Sequence, residues 1–448
     1  MEELKCFKAY DVRGKVPEDL SNELAYDIAR AFASELKPKK VVVGYDIREE
    51  SPEMAAHVRQ GLLDMGVDVL DIGLCGTEEV YFATFHHELD GGIMVTASHN
   101  PKGYNGLKMV REGSKPISGD TGLLAIKDRV QEQRFEENST SGSLISDHRK
   151  ESYINHMLSY IAISNLKPLK VVMNPGNGSA GAVIEELVSH LPFEVHFVHL
   201  QPDGTFPNGV PNPLLMENRE STAKAVLEQG ADLGIAWDGD FDRCFFFDSQ
   251  GQFIEGYYVV GLLAQMLLER QPNAKIIHDP RLTWNTIDIV ESMGGIPIQS
   301  KTGHAFIKER MRKEGAIYGG EMSAHHYFQS FAYCDSGMIP WLLVTELISL
   351  TGISLQDMVK NRMSQFPCSG EINYHVSDIP KAVQSVLCHF EGEYLDVDQT
   401  DGLSLTFENW RLNIRASNTE PLLRLNIESK GDSDLVDLKL ALIESLIL

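Results

Sequence analysis

Two short segments of this 448-residue chain bring together residue types that could carry a phosphoryl group. In the first, Thr96-Ala97-Ser98-His99-Asn100-Pro101, a hydroxyl, an imidazole and an amide follow the apolar run Gly91-Gly92-Ile93-Met94-Val95. The run reads as a buried strand. Pro101 stops regular structure and biases Asn100 away from helix, which predicts a defined turn. A serine at the end of such a strand, beside a histidine, suits an acceptor of a phosphoryl or acyl group. Alone, the pair also fits an ordinary polar turn. The second segment, Asp238-Gly239-Asp240-Phe241-Asp242-Arg243, follows the strand-like run Leu233-Gly234-Ile235-Ala236-Trp237. Three carboxylates at alternate positions repel one another unless a cation stands among them. Hard oxygen donors suit Mg²⁺, completed by an oxygen of a phosphorylated group. Gly239 would allow the sharp turn that lets the carboxylates converge, and Arg243 offers a fork for phosphate. An acidic turn without a metal is the alternative for this segment taken singly. Together the two segments predict a serine that carries a phosphoryl group held by a divalent ion.

Two more segments follow at domain-sized spacing: Gly320-Glu321-Met322-Ser323-Ala324-His325 and Arg415-Ala416-Ser417-Asn418-Thr419-Glu420-Pro421. In this order the four motifs resemble those of the α-D-phosphohexomutases over nearly the whole chain, and within that family the bacterial phosphomannomutases of GDP-mannose synthesis. The resemblance implies that Ser98 is phosphorylated and donates its phosphoryl group to a hexose phosphate. A hexose 1,6-bisphosphate intermediate turns over and returns the other phosphoryl group, so that phosphate moves between carbons 6 and 1. It implies Mg²⁺ held by Asp238, Asp240, Asp242 and a phosphoserine oxygen of Ser98. Lys108 and His304 match positions that handle protons, His99 shapes the serine loop, and Arg243 completes the catalytic set. Glu321, Ser323 and His325 match the loop that binds sugar hydroxyls. Arg415, Ser417, Asn418 and Thr419 match the loop that holds the non-reacting phosphate, with Arg424 nearby. Tyr10, Arg13 and Arg281 match further substrate-binding positions. The third and fourth motifs look like the mannose or mannose/glucose group. Extra use of glucose phosphates stays open, because one epimeric hydroxyl changes binding by only about 1–3 kcal/mol. The rival readings are a Mg²⁺-dependent sugar phosphatase with an aspartate nucleophile and a silent sugar-phosphate-binding protein. The second has no need of intact serine and aspartate loops.

Composition bounds the partners. A formal net charge of −24 argues against nucleic acid and anionic membrane, so an anionic sugar phosphate needs a local basic site. The six cysteines are scattered without a CxxC pair, which argues for reduced thiols in a cytoplasmic protein rather than disulfides or zinc. The first residues lack the pattern of a signal peptide. The apolar stretches near 257–268 and 338–350 are too short or too interrupted to span a bilayer; the second, containing Glu346, reads as a core helix. A monomer or a homodimer is expected.

The elements that must position these loops repeat. Three apolar strands end in a polar residue: Val41 to Asp46, Val171 to Asn174, and Ile276 to Asp279. Each is followed by a helix-like stretch (Ser51 to Met65 and Gly181 to His190 are examples), a second short strand, and a third strand ending at Ser98, Asp238 or Glu321. Such alternation predicts α/β domains with largely parallel sheets, whose ligands bind outside the carboxyl ends of strands. After about residue 365, strands with fewer helices predict a smaller α+β domain closed by a helix over 434–448. The expected architecture is three similar mixed or parallel-sheet α/β domains plus a C-terminal α+β domain around a central cleft, with limits 1–145, 146–249, 250–364 and 365–448. Polar joints are expected at 131–143, 250–251 and 364–367. A hinge at Glu420-Pro421 would let the fourth domain move.

Overall fold

The computed structural model describes residues 4–136, 140–417 and 422–448. The chain divides into two compact units, one of residues 1–253 with 330–352, the other of residues 254–329 with 353–448.

The first unit holds two sheets. One runs in the order Val12–Lys15, Tyr104–Arg111, Gly91–Val95, Lys40–Tyr45, Asp68–Leu74, Leu144–Ser146. Every residue of Gly91–Val95 is buried, which is why that strand is apolar throughout rather than alternating. The other sheet places Glu194–Phe197, Lys170–Asn174, Leu233–Trp237 and Cys244–Phe247 side by side. The apolar stretch near 338–350 forms the helix Ile339–Thr351, and it is a core helix, as its composition predicted. The helix is fixed inside this unit. Trp341 packs edge-on to Trp237, with ring centroids 6.5 Å apart, and the buried Glu346 accepts a hydrogen bond from the Ala162 N–H at 2.8 Å. The Trp237 indole donates to the Gly337 carbonyl at 2.9 Å.

In the second unit, Ile296–Gln299, Lys275–His278, Tyr318–Gly320 and His326–Phe328 form one sheet. Ile372–Tyr374, Leu423–Ser429, Trp410–Ala416, Leu403–Thr406 and Asp396–Asp398 form another, antiparallel throughout. Helices Ile379–His389 and Ser433–Ile447 bury their apolar stripes against it through Val386, Val436 and Ile443. The first of these helices opens at Asp378, whose carboxylate accepts from the Lys381 N–H at 3.0 Å, and has a proline in its first turn.

One arrangement recurs at the motifs. Gly91–Val95 is parallel to Lys40–Tyr45 on one side and antiparallel to Tyr104–Arg111 on the other. Leu233–Trp237 lies between a parallel Lys170–Asn174 and an antiparallel Cys244–Phe247. Tyr318–Gly320 lies between a parallel Lys275–His278 and an antiparallel His326–Phe328. Each of these three motifs therefore starts at the carboxyl end of a parallel strand and returns as a hairpin. The return strands are the feature that strand-helix alternation misses, and they make the sheets mixed. One of them, Tyr104–Arg111, carries Lys108, with Met94 as its partner in register. The joint expected at 364–367 shrinks, because Ser364 and Gln365 end the helix Leu355–Gln365. Of the stretch 131–143, Gln131 ends the helix Leu123–Gln131 and residues 137–139 lie outside the described residues, as does the Glu420-Pro421 hinge.

Candidate active site

Ser98 is buried and has a φ of +50°, a left-handed backbone that costs a non-glycine residue about 1–2 kcal/mol. Several groups hold it there. The Ser98 N–H donates to Thr96 Oγ1 at 2.8 Å. The Arg48 guanidinium donates to the carbonyls of Ser98 (2.8 Å), Asn100 (2.6 Å), Pro101 (3.1 Å) and Tyr104 (3.1 Å), so one side chain gathers the loop. Arg48 is 2% exposed and pairs with Asp46, which also accepts from the hydroxyls of Thr96 at 2.7 Å and Ser51 at 2.5 Å. Arg13 braces the loop from another side, donating to Asn100 Oδ1 at 2.7 Å and pairing with Asp11 at 2.7 Å. Tyr10 is half-buried in the bend just before this strand.

The second loop meets the first inside the same unit. Ser98 Oγ lies 3.0 Å from Asp238 Oδ2 and 3.0 Å from His99 Nδ1. Arg243 donates to Asp238 Oδ2 from Nε at 2.9 Å and pairs with it through Nη2 at 2.8 Å; Nη2 also donates to His99 Nδ1. A guanidinium has only donors, so His99 Nδ1 is an acceptor and its proton sits on Nε2. Burial, followed by the charges of Arg243 and Arg13, holds the His99 imidazole well below its ordinary pKa. It is held neutral, in contact with both Ser98 and Arg243. Gly239 is required, though not through a positive φ. A Cβ there would stand 2.6 Å from the Ser98 carbonyl oxygen, so the glycine permits close approach of the two loops. The left-handed residue of the turn is Phe241, with φ +47°.

Carboxylate oxygens of Asp238, Asp240 and Asp242 lie within 4.8 Å of one another. The cation among them is Lys108, whose Nζ is 2.6 Å from Asp240 Oδ2 and 2.6 Å from Asp242 Oδ2. Burial lowers the lysine's hold on its proton, but the two carboxylates outweigh burial and leave its pKa above the ordinary value. Lys108 in this arrangement is held as an ammonium. Burial raises Asp238 above the usual carboxylate range, with Arg243 opposing and Asp242 and Asp240 adding to it. Asp240 is also raised by burial, yet its ion pair with Lys108 and the Thr77 hydroxyl at 2.5 Å bring it below that range. The donor set fits a hard divalent cation: three carboxylates converge, and Asp240 Oδ1 is buried without a hydrogen-bond partner.

In the second unit, Arg281 is 2% exposed and clamps Asp279 through Nε–Oδ1 at 3.1 Å and Nη2–Oδ2 at 2.9 Å. Its Nη2 also reaches Glu321 Oε2 at 3.3 Å and Ser323 Oγ at 3.2 Å. Glu321 accepts further bonds from the Tyr327 hydroxyl at 2.5 Å and from the Gly303 N–H at 3.2 Å, next to His304. His304 begins the helix His304–Glu314, half-buried, and His325 stacks on Tyr327 with ring centroids 6.0 Å apart. His326 is buried with Nδ1 2.7 Å from the Tyr318 hydroxyl, and burial lowers its pKa to about 3. Arg415 and Arg424 face each other on paired strands, and both reach Glu371, at 3.2 Å and 3.4 Å. Ser417 is half-buried, its N–H bonded to the Leu422 carbonyl at 2.8 Å; Asn418 and Thr419 lie outside the described residues.

Several residues here escaped sequence reasoning. Asp46 stood out only as a polar strand end, and Arg48 follows it by two. Thr77 donates its hydroxyl and its N–H to Asp240 across 163 residues. Glu428 binds Arg411 at 2.9 Å and accepts from the N–H groups of Thr283 and Trp284. Arg411 donates to the carbonyls of Pro280 and Arg281, so the pair fixes the backbone that carries Arg281. Glu371 gathers arginines from 90 and 44 residues away. No local pattern marks such partners.

The chain matches four family models, described as phosphoglucomutase/phosphomannomutase α/β/α domains I (residues 4–137), II (151–251) and III (255–366) and the C-terminal domain (371–445). A phosphomannomutase of Salmonella montevideo is 58% identical, covering 98% of this chain and 97% of the relative. A protein described as phosphohexose mutases, from Xanthomonas campestris pv. campestris, is 57% identical over 99% of both. The crystal structure of a phosphoglucomutase/phosphomannomutase family protein of Burkholderia thailandensis superposes with a TM-score of 0.87 at 32% identity, covering 98% of this chain and 96% of that one.

Proposed function

The chain belongs to the phosphoglucomutase/phosphomannomutase family, and we propose that it interconverts mannose 6-phosphate and mannose 1-phosphate through a phosphoserine at Ser98. The P–O bond of phosphoserine breaks as a hydroxyl oxygen of the hexose phosphate bonds to phosphorus, giving hexose 1,6-bisphosphate. The other phosphate of that intermediate returns to Ser98 Oγ in the second half, so the enzyme ends as it began. The observation that carries this is the Ser98 hydroxyl, held by a loop with φ +50° at 3.0 Å from the first carboxylate of a buried acidic cluster. Asp238, Asp240 and Asp242 would hold Mg²⁺ with a phosphoserine oxygen, and the ion would supply charge neutralisation at the transferring group. Lys108, held as an ammonium, is the proton donor to a departing oxygen, and Arg243 keeps Asp238 and His99 in place. His304 is the proton carrier in the second unit.

Recognition falls to Glu321, Ser323 and His325 for the sugar hydroxyls. Arg415, Ser417, Asn418, Thr419 and Arg424 hold the non-reacting phosphate, with Arg281, Tyr10 and Arg13 as further substrate contacts. A carboxylate such as Glu321, already accepting from three donors, can trade them for sugar hydroxyls at little net cost. Domain limits of 1–145, 146–249, 250–364 and 365–448 suit these roles. The enzyme is cytoplasmic, in keeping with its six free cysteines, and acts as a monomer or homodimer. Among the described residues no single helix is long and apolar enough to cross a membrane.

The test is turnover of mannose 1-phosphate and glucose 1-phosphate with Mg²⁺ and a trace of hexose 1,6-bisphosphate, wild type beside Ser98→Ala. Formation of mannose 6-phosphate, reduced by about a thousandfold or more in the variant, is expected. Inorganic phosphate as the main product, or an unimpaired variant, would overturn the mutase reading. Comparable rates on both sugars would widen it to a dual mannose/glucose mutase.

A further inference from the structure

The arginine cluster of the second unit contains its own anion. Arg415 and Arg424 are partners in register on antiparallel strands, where like charges directly opposite destabilise the pairing. Glu371, immediately before the strand Ile372–Tyr374, supplies the counter-charge. It accepts from Arg281 at 3.2 Å, Arg415 at 3.2 Å and Arg424 at 3.4 Å. These are longer than the 2.7–2.9 Å typical of a strong guanidinium–carboxylate pair, so one carboxylate is shared three ways and saturates none of its partners. Arg415 is 3% exposed, and its Nε has no hydrogen-bond partner. Arg281 is already matched by Asp279, whereas Arg415 pairs with Glu371 beside Arg424, which reaches the same carboxylate.

We propose that Glu371 is a positioning residue that holds Arg415 and Arg424 together as a fork and competes with substrate phosphate for them, which keeps phosphate affinity low enough for the bisphosphate intermediate to turn over. The proposal rests on the reading that these arginines hold the non-reacting phosphate. A carboxylate and a phosphate offer the same acceptor chemistry to the same donors, and in a poorly solvated site each anion raises the free energy of the other. A site that must grip the phosphate on carbon 6 and then the one on carbon 1 has to release the first. A fork of two arginines without an internal anion favours a dianion strongly and slows that release.

The experiment titrates mannose 6-phosphate calorimetrically into full-length Ser98→Ala protein, which cannot turn it over, in four forms: otherwise unchanged, Glu371→Gln, Glu371→Asp and Arg415→Ala. Glu371→Gln keeps the shape and loses the charge, and its Kd is expected to fall about tenfold or more. Glu371→Asp keeps the charge and stays near the parent value. With Ser98 restored, Glu371→Gln lowers KM and kcat together, because release becomes slow. A purely structural role predicts the opposite, weaker binding with a disturbed fork. Unchanged or weaker binding by Glu371→Gln, alongside the loss expected for Arg415→Ala, overturns the counter-ion role alone. Unchanged binding by Arg415→Ala overturns the phosphate-site reading and the proposal with it. Melting curves of each variant confirm that the affinities refer to folded protein.

Discussion

In the first unit a lysine stands among aspartates, and in the second a glutamate stands among arginines. Lys108 is 2.6 Å from two carboxylates, while Glu371 is 3.2–3.4 Å from three guanidiniums. On the proposed reading both sites gather like charges for a ligand of opposite sign, and both include one residue that already carries that sign. The geometry separates them. Lys108 is tightly paired and 6% exposed, a stand-in of full strength, whereas Glu371 is loosely shared and 16% exposed. A cation site that stays assembled between turnovers tolerates a strong internal partner, and a phosphate site that must exchange its ligand calls for a weak one.

Replacing Lys108 is the most forceful way to break the comparison. Lys108→Met leaves Asp240 and Asp242 buried beside Asp238 without their cation. Removing one partner of a buried pair costs about 3–5 kcal/mol, so denaturant unfolding without Mg²⁺ should show a loss of that order. Mg²⁺ should then raise the melting temperature of the variant more than that of wild type, because the ion takes over the lysine's electrostatic role. Equal Mg²⁺ responses in the two proteins would mean that the ion does not bind at the cluster Lys108 occupies.

Arg48→Lys asks how far the serine loop depends on one guanidinium. A single ammonium cannot reach four carbonyls with fork geometry. The loop should relax from φ +50°, and activity should fall by about 10²-fold, the cost of a nucleophile displaced by a small distance. The loss of melting temperature should be smaller than for Lys108→Met. Titration with inorganic phosphate at the second unit's arginines should be unaffected, and a parallel loss there would show that the damage is not local.

The limits of sequence reading follow the same division. Strand-helix alternation and the apolar runs made the α/β organisation legible, because periodicity and burial are properties of neighbours in sequence. Ser98 and the aspartates were legible as dense polar loops at strand ends, and Arg415 of the fourth motif, with Arg424 nearby, stood out once that motif was joined to the other three. The return strand bearing Lys108 was not, since Tyr104-Asn105-Gly106 reads as a turn until Met94 and Lys108 are known to pair. Nor was Lys108's role as a counter-ion, which depends on carboxylates 132 and 134 residues away. Arg48, Thr77, Glu371 and Glu428 share that property: each is an ordinary charged or polar residue locally and acquires its meaning from a distant partner.

A smaller perturbation probes the contact between the two loops of the first unit. In Gly239→Ala the new methyl would meet the Ser98 carbonyl oxygen at 2.6 Å, and backbone cannot swing aside as a side chain can. Overpacking of this kind costs about 1–3 kcal/mol. The Ser98–Asp238 contact is strained first, so kcat should fall by about tenfold while KM stays near wild type. A change in KM alone would place the tight contact outside the chemistry.

The mildest test concerns the sign of the charge that Glu371 carries. Burial raises its pKa, but Arg281, Arg424 and Arg415 outweigh burial and lower it to about 2, against about 4.3 in an unfolded chain. A depressed carboxylate contributes stability that is fully present above the unfolded value and is lost as pH falls toward 2. A fall from about 4.3 to about 2 would correspond to about 3 kcal/mol, and sharing with partial exposure reduces this to about 1–2 kcal/mol. Wild type should therefore exceed Glu371→Gln in unfolding free energy by that amount near pH 6, and the gap should close between roughly pH 4.5 and 2. Lys108 offers no matching window: its raised pKa puts the loss of its contribution at strongly alkaline pH, where the rest of the protein titrates first. A gap that persists undiminished at pH 2.5 would mean that Glu371 stabilises the second unit by packing and not by charge, which would also remove the basis for its competition with phosphate.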